Sequence, residues 1–286
     1  MTIGYGRSVI PPVVPFRWVE ERPDGVALAD VRWYLDGRSG REEYNRGHLP
    51  GAVFVDLDQV LAGPPGPEAG RHPLPDPATF AGHMRTLGIG DDSVVLAYDD
   101  QGGVIAARLV WMLRVTGHDA ALLDGGIQSY RGLPEVGPPS PHLPVGGPFA
   151  ERPWPLECLA RIDDAANPAN LVIDARAPER FRGEEEPVDA RPGHIPGARN
   201  LPCRSNLDQD GCFLPAEDLR RRFESVGAGA DTPVISYCGS GVTACHNLIA
   251  LELAGMGPGR LYPGSWSQYS HDSSRPAETG PDRRDR

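Results

Sequence analysis

The chain has 286 residues, 40% apolar and 23% charged, with a formal net charge of −11. That length predicts about two domains at roughly 150 residues each, and the composition is that of a soluble globular protein. The acidic balance excludes nucleic acid and anionic membrane as principal partners, because both require a basic surface.

From the N-terminus, Met1–Pro15 shows no basic start followed by an apolar core, so no secretory signal is read. The longest apolar runs, Val94–Tyr98 and Leu109–Leu113, fall far short of the roughly 18 residues of a membrane span. A cytoplasmic protein is expected. The first half carries strand patterns at Val26–Arg32, Val53–Asp56, Ser93–Asp99 and Ala120–Leu123, with helical patterns at Ala78–Leu87 and Val104–Thr116. Half of the 24 residues of Gly132–Pro155 are Pro or Gly, which predicts a semi-rigid linker. Beyond it, strands are predicted at Leu171–Asp174, Asn200–Leu201, Val234–Tyr237 and Arg260–Tyr262, and helices at Ala216–Val226 and Thr243–Ala254. The stretch from His271 lacks apolar periodicity and reads as an extended or frayed end. Near-continuous apolar strands alternating with helices indicate a parallel sheet covered on both faces.

The two halves repeat each other. Ala29-Asp-Val-Arg32 answers Ile173-Asp-Ala-Arg176, and Arg46-Gly-His-Leu-Pro-Gly-Ala52 answers Pro192-Gly-His-Ile-Pro-Gly-Ala198. Val94–Asp99 answers Pro233–Cys238, and Leu123-Asp-Gly-Gly126 answers Leu261-Tyr-Pro-Gly264. The expected organisation is a tandem α/β pair: residues 1–131, a linker over 132–155, and residues 156–286.

Chemistry concentrates in Val234-Ile-Ser-Tyr-Cys-Gly-Ser-Gly-Val-Thr243 and the helix that follows. A buried strand ends at Cys238, and a Gly-rich loop then turns into a helix N-terminus. Such a loop aims successive N–H groups into one concavity, an anion nest to which the helix adds partial positive charge. All 28 basic residues are Arg, which excludes Schiff-base and P-loop chemistry. An anionic substrate must be held by arginines or by backbone amides. In that setting Cys238 is expected to be a thiolate nucleophile. Cys158, Cys203, Cys212 and Cys245 form no CxxC pair; they give no zinc or disulfide pattern and are read as packed residues. No metal or organic cofactor is expected. A cysteine phosphatase or arsenate reductase shares this strand–Cys–loop–helix plan, but C-x5-R needs an arginine where Ala244 stands. Sulfur transfer needs only the thiolate and the nest.

Over about residues 15–276 the sequence resembles the two-domain rhodanese-type sulfurtransferases, specific for thiosulfate or 3-mercaptopyruvate. The resemblance rests on Gly47–Ala52, its repeat Gly193–Ala198, Cys238–Thr243, Glu179-Arg-Phe-Arg-Gly183 and Leu261-Tyr-Pro-Gly-Ser-Trp-Ser267. It implies two rhodanese-like domains, each a mainly parallel five-stranded sheet flanked by helices. Only the second is catalytic, because Asp99 stands at the first domain's cysteine position. The implied reaction moves sulfane sulfur through a Cys238 persulfide, cradled by Gly239, Gly241, Val242 and Thr243, to cyanide, a thiol or thioredoxin. A carrier that passes its persulfide to one protein partner without turnover is the non-enzymatic alternative.

By the same resemblance, Cys-Gly-Ser marks a mercaptopyruvate-type loop, in which Ser240 works with an Asp and a His from the first domain, here Asp58 and His72. Arg180 matches the family's substrate arginine. The second arginine is missing from Glu186-Pro-Val-Asp189, and Arg191 is the candidate substitute. The donor therefore stays open between thiosulfate and 3-mercaptopyruvate. Asp30, Asp174, His48 and His194 are expected to be structural, and Gln268-Tyr269, where relatives show Glu-Trp, to affect packing alone.

Overall fold

The computed structural model describes residues 10–21, 26–138, 147–229 and 232–282. The middle of the predicted linker, most of the N-terminal stretch and the last four residues of the tail lie outside them. The first half forms a five-stranded sheet, all parallel, from β1 (Val13–Val14), β2 (Val26–Asp30), β3 (Val53–Phe54), β4 (Val94–Tyr98) and β5 (Ala120–Leu123), in spatial order β1-β5-β4-β2-β3. The second half repeats it with β6 (Leu171–Asp174), β7 (Arg199–Asn200), β8 (Val234–Tyr237) and β9 (Arg260–Leu261), in order β7-β6-β8-β9. A lone parallel bridge between Leu159 and Leu261 stands where β1 would extend the sheet. The second domain thus keeps four full strands and only a vestige of the fifth.

The central strands β4 and β8 are largely apolar and almost wholly buried because both of their faces are covered, with Ser236 satisfied by donating to Ala244 O. The predicted helices appear as Pro77–Thr86, Ala107–Val115, Ala216–Ser225 and Ala244–Leu253. Ala107–Val115 is buried at every position, since it lies between its own sheet and the second domain. It packs on Ala244–Leu253, and one continuous core runs through this contact, joining Leu109 and Met112 to Cys245 and Leu248. Arg114 pairs with Glu252 across it. Phe213 N donates to Asp124 Oδ1 at 2.8 Å, fastening a loop of the second domain to the end of β5.

The repeated motifs prove to be repeated structural devices. Arg32 and Arg176, both buried, each form a fork with the aspartate two residues before them, Nη2 to Oδ2 distances being 2.6 and 2.7 Å. The same Nη2 atoms donate to Gly47 O and Gly193 O, each at 2.7 Å. The strand ends are thereby tied to the Gly-His turns. His48 and His194 donate from Nδ1 to Tyr44 O and Phe181 O and stack on those same rings. Glu135, from the start of the predicted linker, and Glu278, from the tail, form matching antiparallel bridges to these histidines. The carboxylates of both glutamates accept from the glycines at 51 and 197. The tail is therefore extended and docked as far as Asp282, which pairs with Arg199, and it is not frayed over its described length. Composition hides this because the anchoring is backbone pairing plus one carboxylate, which needs no apolar period.

Removing one member of a buried pair strands the other's charge. Arg32→Met should lower unfolding free energy by about 3–5 kcal/mol in urea titration. A loss under about 1 kcal/mol would show that Asp30 finds another partner.

Candidate active site

β8 ends at Tyr237, Cys238 follows it directly, and the next helix begins at Ala244. Between them the backbone turns sharply at Gly241, whose φ is +76°. A Cβ there would lie 2.5 Å from Pro263 O, so only glycine fits. The turn brings Gly241 N to 3.1 Å from Cys238 Sγ. The cysteine's backbone is gripped as well. Cys238 N donates to Ser265 Oγ at 3.1 Å, while Trp266 N donates to Cys238 O and Ser267 N to Gly239 O. Ser265 achieves this with φ +52°, among the described residues the one non-glycine in the left-handed region. That conformation costs about 1–2 kcal/mol.

Cys238 opens onto a cleft of about 350 Å³ between the domains. Trp33, Leu35, Val104 and Ile105 from the first half, with Pro178 and Pro202 from the second, make an apolar wall. Gly239, Ser240, Val242 and Thr243 line the cleft beside the cysteine. Ser240 Oγ lies 2.8 Å from His72 Nδ1, and His72 Nε2 lies 3.0 Å from Asp58 Oδ1. The carboxylate can only accept, so Nε2 carries the ring hydrogen and Nδ1 accepts from Ser240. Trp33 Nε1 donates to the other oxygen, Asp58 Oδ2, at 3.0 Å. The structure therefore brings Asp58, His72 and Ser240 into one hydrogen-bonded chain ending beside Cys238. Burial lowers the His72 pKa to about 4, against the raising effect of Asp58. At neutral pH the ring is therefore neutral.

Arg180 lies on the cleft, and Arg71 joins it there. Both are bound to Asp189: Arg71 Nη1 to Oδ1 at 2.6 Å, Arg180 Nη2 to Oδ2 at 2.8 Å. Arg180 also meets Glu186 at 2.6 Å. A Cβ on Gly239 would come 3.1 Å from Arg71 Nη2 and 3.5 Å from Arg180 Nη1. The glycine thus leaves room for two cations that arrive from distant segments. Arg191 is not among them. Its guanidinium is spent on the carbonyls of Tyr269, Ser270 and Asp272, and it does not line the cleft. Adjacency to Glu186-Pro187 suggested Arg191; the second cation comes instead from Arg71, next to His72, a position with no local signal.

Burial raises the remaining thiols, Cys203 and Cys245 to about 12 and Cys158 and Cys212 to about 11. Cys245 donates to Gly241 O and braces the turn. Ala244 is fully buried, so no cation occupies the position a phosphatase requires. Gln268 accepts from Tyr262 OH at 2.7 Å and donates to Glu68 O of the first domain, so this position makes an interdomain hydrogen bond and does more than pack. Among the described residues, no group of three or more His, Cys, Asp or Glu side chains could hold a metal ion. No helix among them is long and apolar enough to cross a membrane.

Comparison with known proteins agrees with this geometry. The model of the rhodanese-like domain matches twice, over residues 17–133 and 155–272. A probable 3-mercaptopyruvate sulfurtransferase of Pseudomonas aeruginosa is 44% identical over 271 residues, covering 90% of this chain and 93% of that one. A putative thiosulfate sulfurtransferase of Mycobacterium tuberculosis is 40% identical over 262 residues, covering 90% and 92%. The crystal structure of an Escherichia coli 3-mercaptopyruvate sulfurtransferase superposes with a TM-score of 0.77 at 34% identity, covering 90% of this chain and all of that one. The chain belongs to the rhodanese family. Within it, the chain is one of the two-domain sulfurtransferases.

His72 gives a test by pH. Unfolded, the ring binds a proton near 6.5, but folded only near 4. The unfolded state therefore binds more protons between these values, and stability falls as pH falls through them. About 3 kcal/mol should be lost from pH 6.5 to 4, all of it present above 6.5. Urea titrations of wild type and His72→Gln should diverge in slope across this window; parallel curves would contradict the assignment.

Proposed function

We propose that the protein transfers sulfur from 3-mercaptopyruvate, through a persulfide on Cys238, to a thiophilic acceptor. The observation that carries this reading is the Ser240–His72–Asp58 chain ending beside Cys238. Thiosulfate releases sulfite, a stable anion that needs no proton. Breaking the C–S bond of mercaptopyruvate releases an enolate, which does. The Cys238 thiolate attacks the donor sulfur, the S–S bond forms, and the C–S electron pair leaves as enolate. Ser240, its own hydrogen directed at His72, takes the donor thiol's proton as it passes its own to the neutral ring. The reverse shift protonates the methylene carbon and gives pyruvate. Charge on the persulfide is held by the amides of Gly239, Gly241, Val242 and Thr243, and the donor carboxylate by Arg71 and Arg180.

The acceptor, whether cyanide, a small thiol or thioredoxin, then removes the outer sulfur as a ping-pong second step. Five free cysteines suit a reducing compartment, and the cytoplasm is part of this reading. The domain limits proposed above, 1–131 and 156–286, place Asp58, His72 and Arg71 in the first unit and Cys238 in the second.

Mass analysis after donor treatment should find one added sulfur atom on Cys238, and Cys238→Ser should abolish turnover. Mercaptopyruvate should exceed thiosulfate in kcat/KM by at least about tenfold, and Ser240→Ala should shrink that ratio. Equal or better use of thiosulfate by the wild type would overturn the donor assignment.

Asp189 competes with the donor for both arginines. Asp189→Asn should lower KM for mercaptopyruvate roughly fivefold, the effect of about 1 kcal/mol of released attraction. Arg180→Ala should raise it at least about tenfold. An unchanged or raised KM in Asp189→Asn would show that the carboxylate only aligns the arginines.

A further inference from the structure

We propose that Arg108 is a positioning residue: a buried cation that holds the Cys238 loop in register with Asp58 and His72, and against which the charge on Cys238 is balanced. This rests on Cys238 as the sulfur-carrying nucleophile.

Arg108 lies in the second position of the helix Ala107–Val115, in the domain without a cysteine at its strand end, and its side chain has no exposure. Among the described residues no carboxylate pairs with it. It donates instead to backbone carbonyls from three segments: Nη1 to Gly241 O at 2.9 Å, Nη2 to His72 O at 3.1 Å, and Nη2 and Nε to Leu61 O at 3.3 and 3.4 Å. Each of these segments carries part of the site. Gly241 offers its N–H to Cys238 Sγ. His72 is the central ring of the relay. Leu61 caps the short helix Leu57–Val60 that bears Asp58. One guanidinium therefore ties together the parts that two domains contribute.

A buried cation without a counter-ion is costly. Burial lowers the Arg108 pKa, and the interactions that oppose this come from Cys245 first and then, through charge alone, from Cys238. Cys245 stays protonated, its pKa pushed up to about 12 by burial. Cys238, and the persulfide it carries, is the group able to supply a negative charge.

Comparison of the two copies supports this. Counting back from the matching helix ends at Thr116-Gly117 and Ala254-Gly255, Arg108 corresponds to His246, which is also fully buried. His246 Nε2 reaches across to Gly102 O, 3.3 Å away in the first domain's loop, just as Arg108 reaches Gly241 O. Burial lowers the His246 pKa to about 3, so that ring is neutral. Its loop holds Asp99, whose carboxylate already accepts from the amides of Gln101, Gly103, Ile105 and Ala106 at 2.7–2.9 Å. The loop with its own carboxylate receives a neutral ring; the loop built for an anion on sulfur receives the cation.

Two variants separate tie from charge. Arg108→Gln keeps hydrogen-bond donors and removes the charge; Arg108→Lys keeps the charge and loses the fork. The readouts are the pH profile of iodoacetamide alkylation at Cys238, followed by peptide mass, and kcat and KM with 3-mercaptopyruvate. Arg108→Gln should move the half-maximal pH of alkylation up by about one unit, while Arg108→Lys leaves it within about 0.3. Both should lower kcat at least about tenfold and change KM less than about threefold, because Arg71 and Arg180 are untouched. An unchanged alkylation profile in folded Arg108→Gln, or a loss confined to melting temperature, would overturn the proposal. Should neither variant fold, the wild type decides: capping Cys238 as its neutral methyl disulfide removes the anion and should lower Tm, and no fall would overturn it. Failure of wild-type Cys238 to take up sulfur at all would count against the nucleophile reading instead.

Discussion

The sulfur of Cys238 sits at the base of a cleft, and three hydrogen bonds to that residue hold it in place. Gly241 N meets its sulfur, Ser265 Oγ its amide and Trp266 N its carbonyl. Each depends on a backbone shape that ordinary residues resist. Gly241 turns where a Cβ would strike Pro263, and Ser265 sits in the left-handed region with its hydroxyl turned to Tyr262 O and Cys238 N. The strain is local, while what over-determines it is global. Trp266 is fully buried, and its indole donates to Arg191 O at 2.9 Å. The packing that seats Trp266 therefore also holds the residues that grip the cysteine, and the side chain of Arg191 belongs to that scaffold rather than to the substrate.

The duplicated fold shows what the cradle is worth chemically. In the first domain the strand-end residue is Asp99, and its own loop wraps it with four amide hydrogen bonds. Burial raises its pKa while those amides pull it down. That nest is filled from within and has nothing left to offer a ligand. In the second domain a neutral glycine-bounded loop surrounds a sulfur atom, so the same kind of backbone is left to meet charge that arrives during reaction. One side chain at the end of a strand decides whether the loop closes on its own carboxylate or turns an amide toward a sulfur.

How much of this was legible in the sequence follows from distance along the chain. Cys238 and Ser240 lie in one loop whose glycines announce a nest, and the repeat and its strands are patterns of neighbouring residues. Asp58 and His72 were reached only through family resemblance, for nothing within Val-Asp-Leu-Asp or Arg-His-Pro states that they will meet Ser240. Arg71 and Arg108 carry no signal at all, and Ser265 enters only as one residue of the Leu261–Ser267 motif. Arg71 acts on a loop nearly half the chain away, Arg108 reads as one more residue of an apolar helix, and Ser265 matters through a backbone angle. The docking of Glu135 and Glu278 was hidden for a related reason: a glutamate in a proline-rich stretch looks solvated until the histidine turn that it closes is in place.

The absence of lysine, first an exclusion, also explains the kind of cations that the cleft uses. Buried or half-buried positive charge here must be planar and multiply bonded, and guanidinium tolerates this better than a compact ammonium does. Arg108 meets three carbonyls, Arg176 bridges Asp174 and Glu186, and Arg180 bridges Glu186 and Asp189. A network with this many shared partners couples its members, so that a substitution at Asp189 is felt at Arg71 and Arg180 together. The same coupling gives a physical reason for retaining a first domain that lacks the nucleophile. It supplies Asp58, His72, Arg71 and the buried Arg108, which meet Ser240, Asp189 and Gly241 of the second domain.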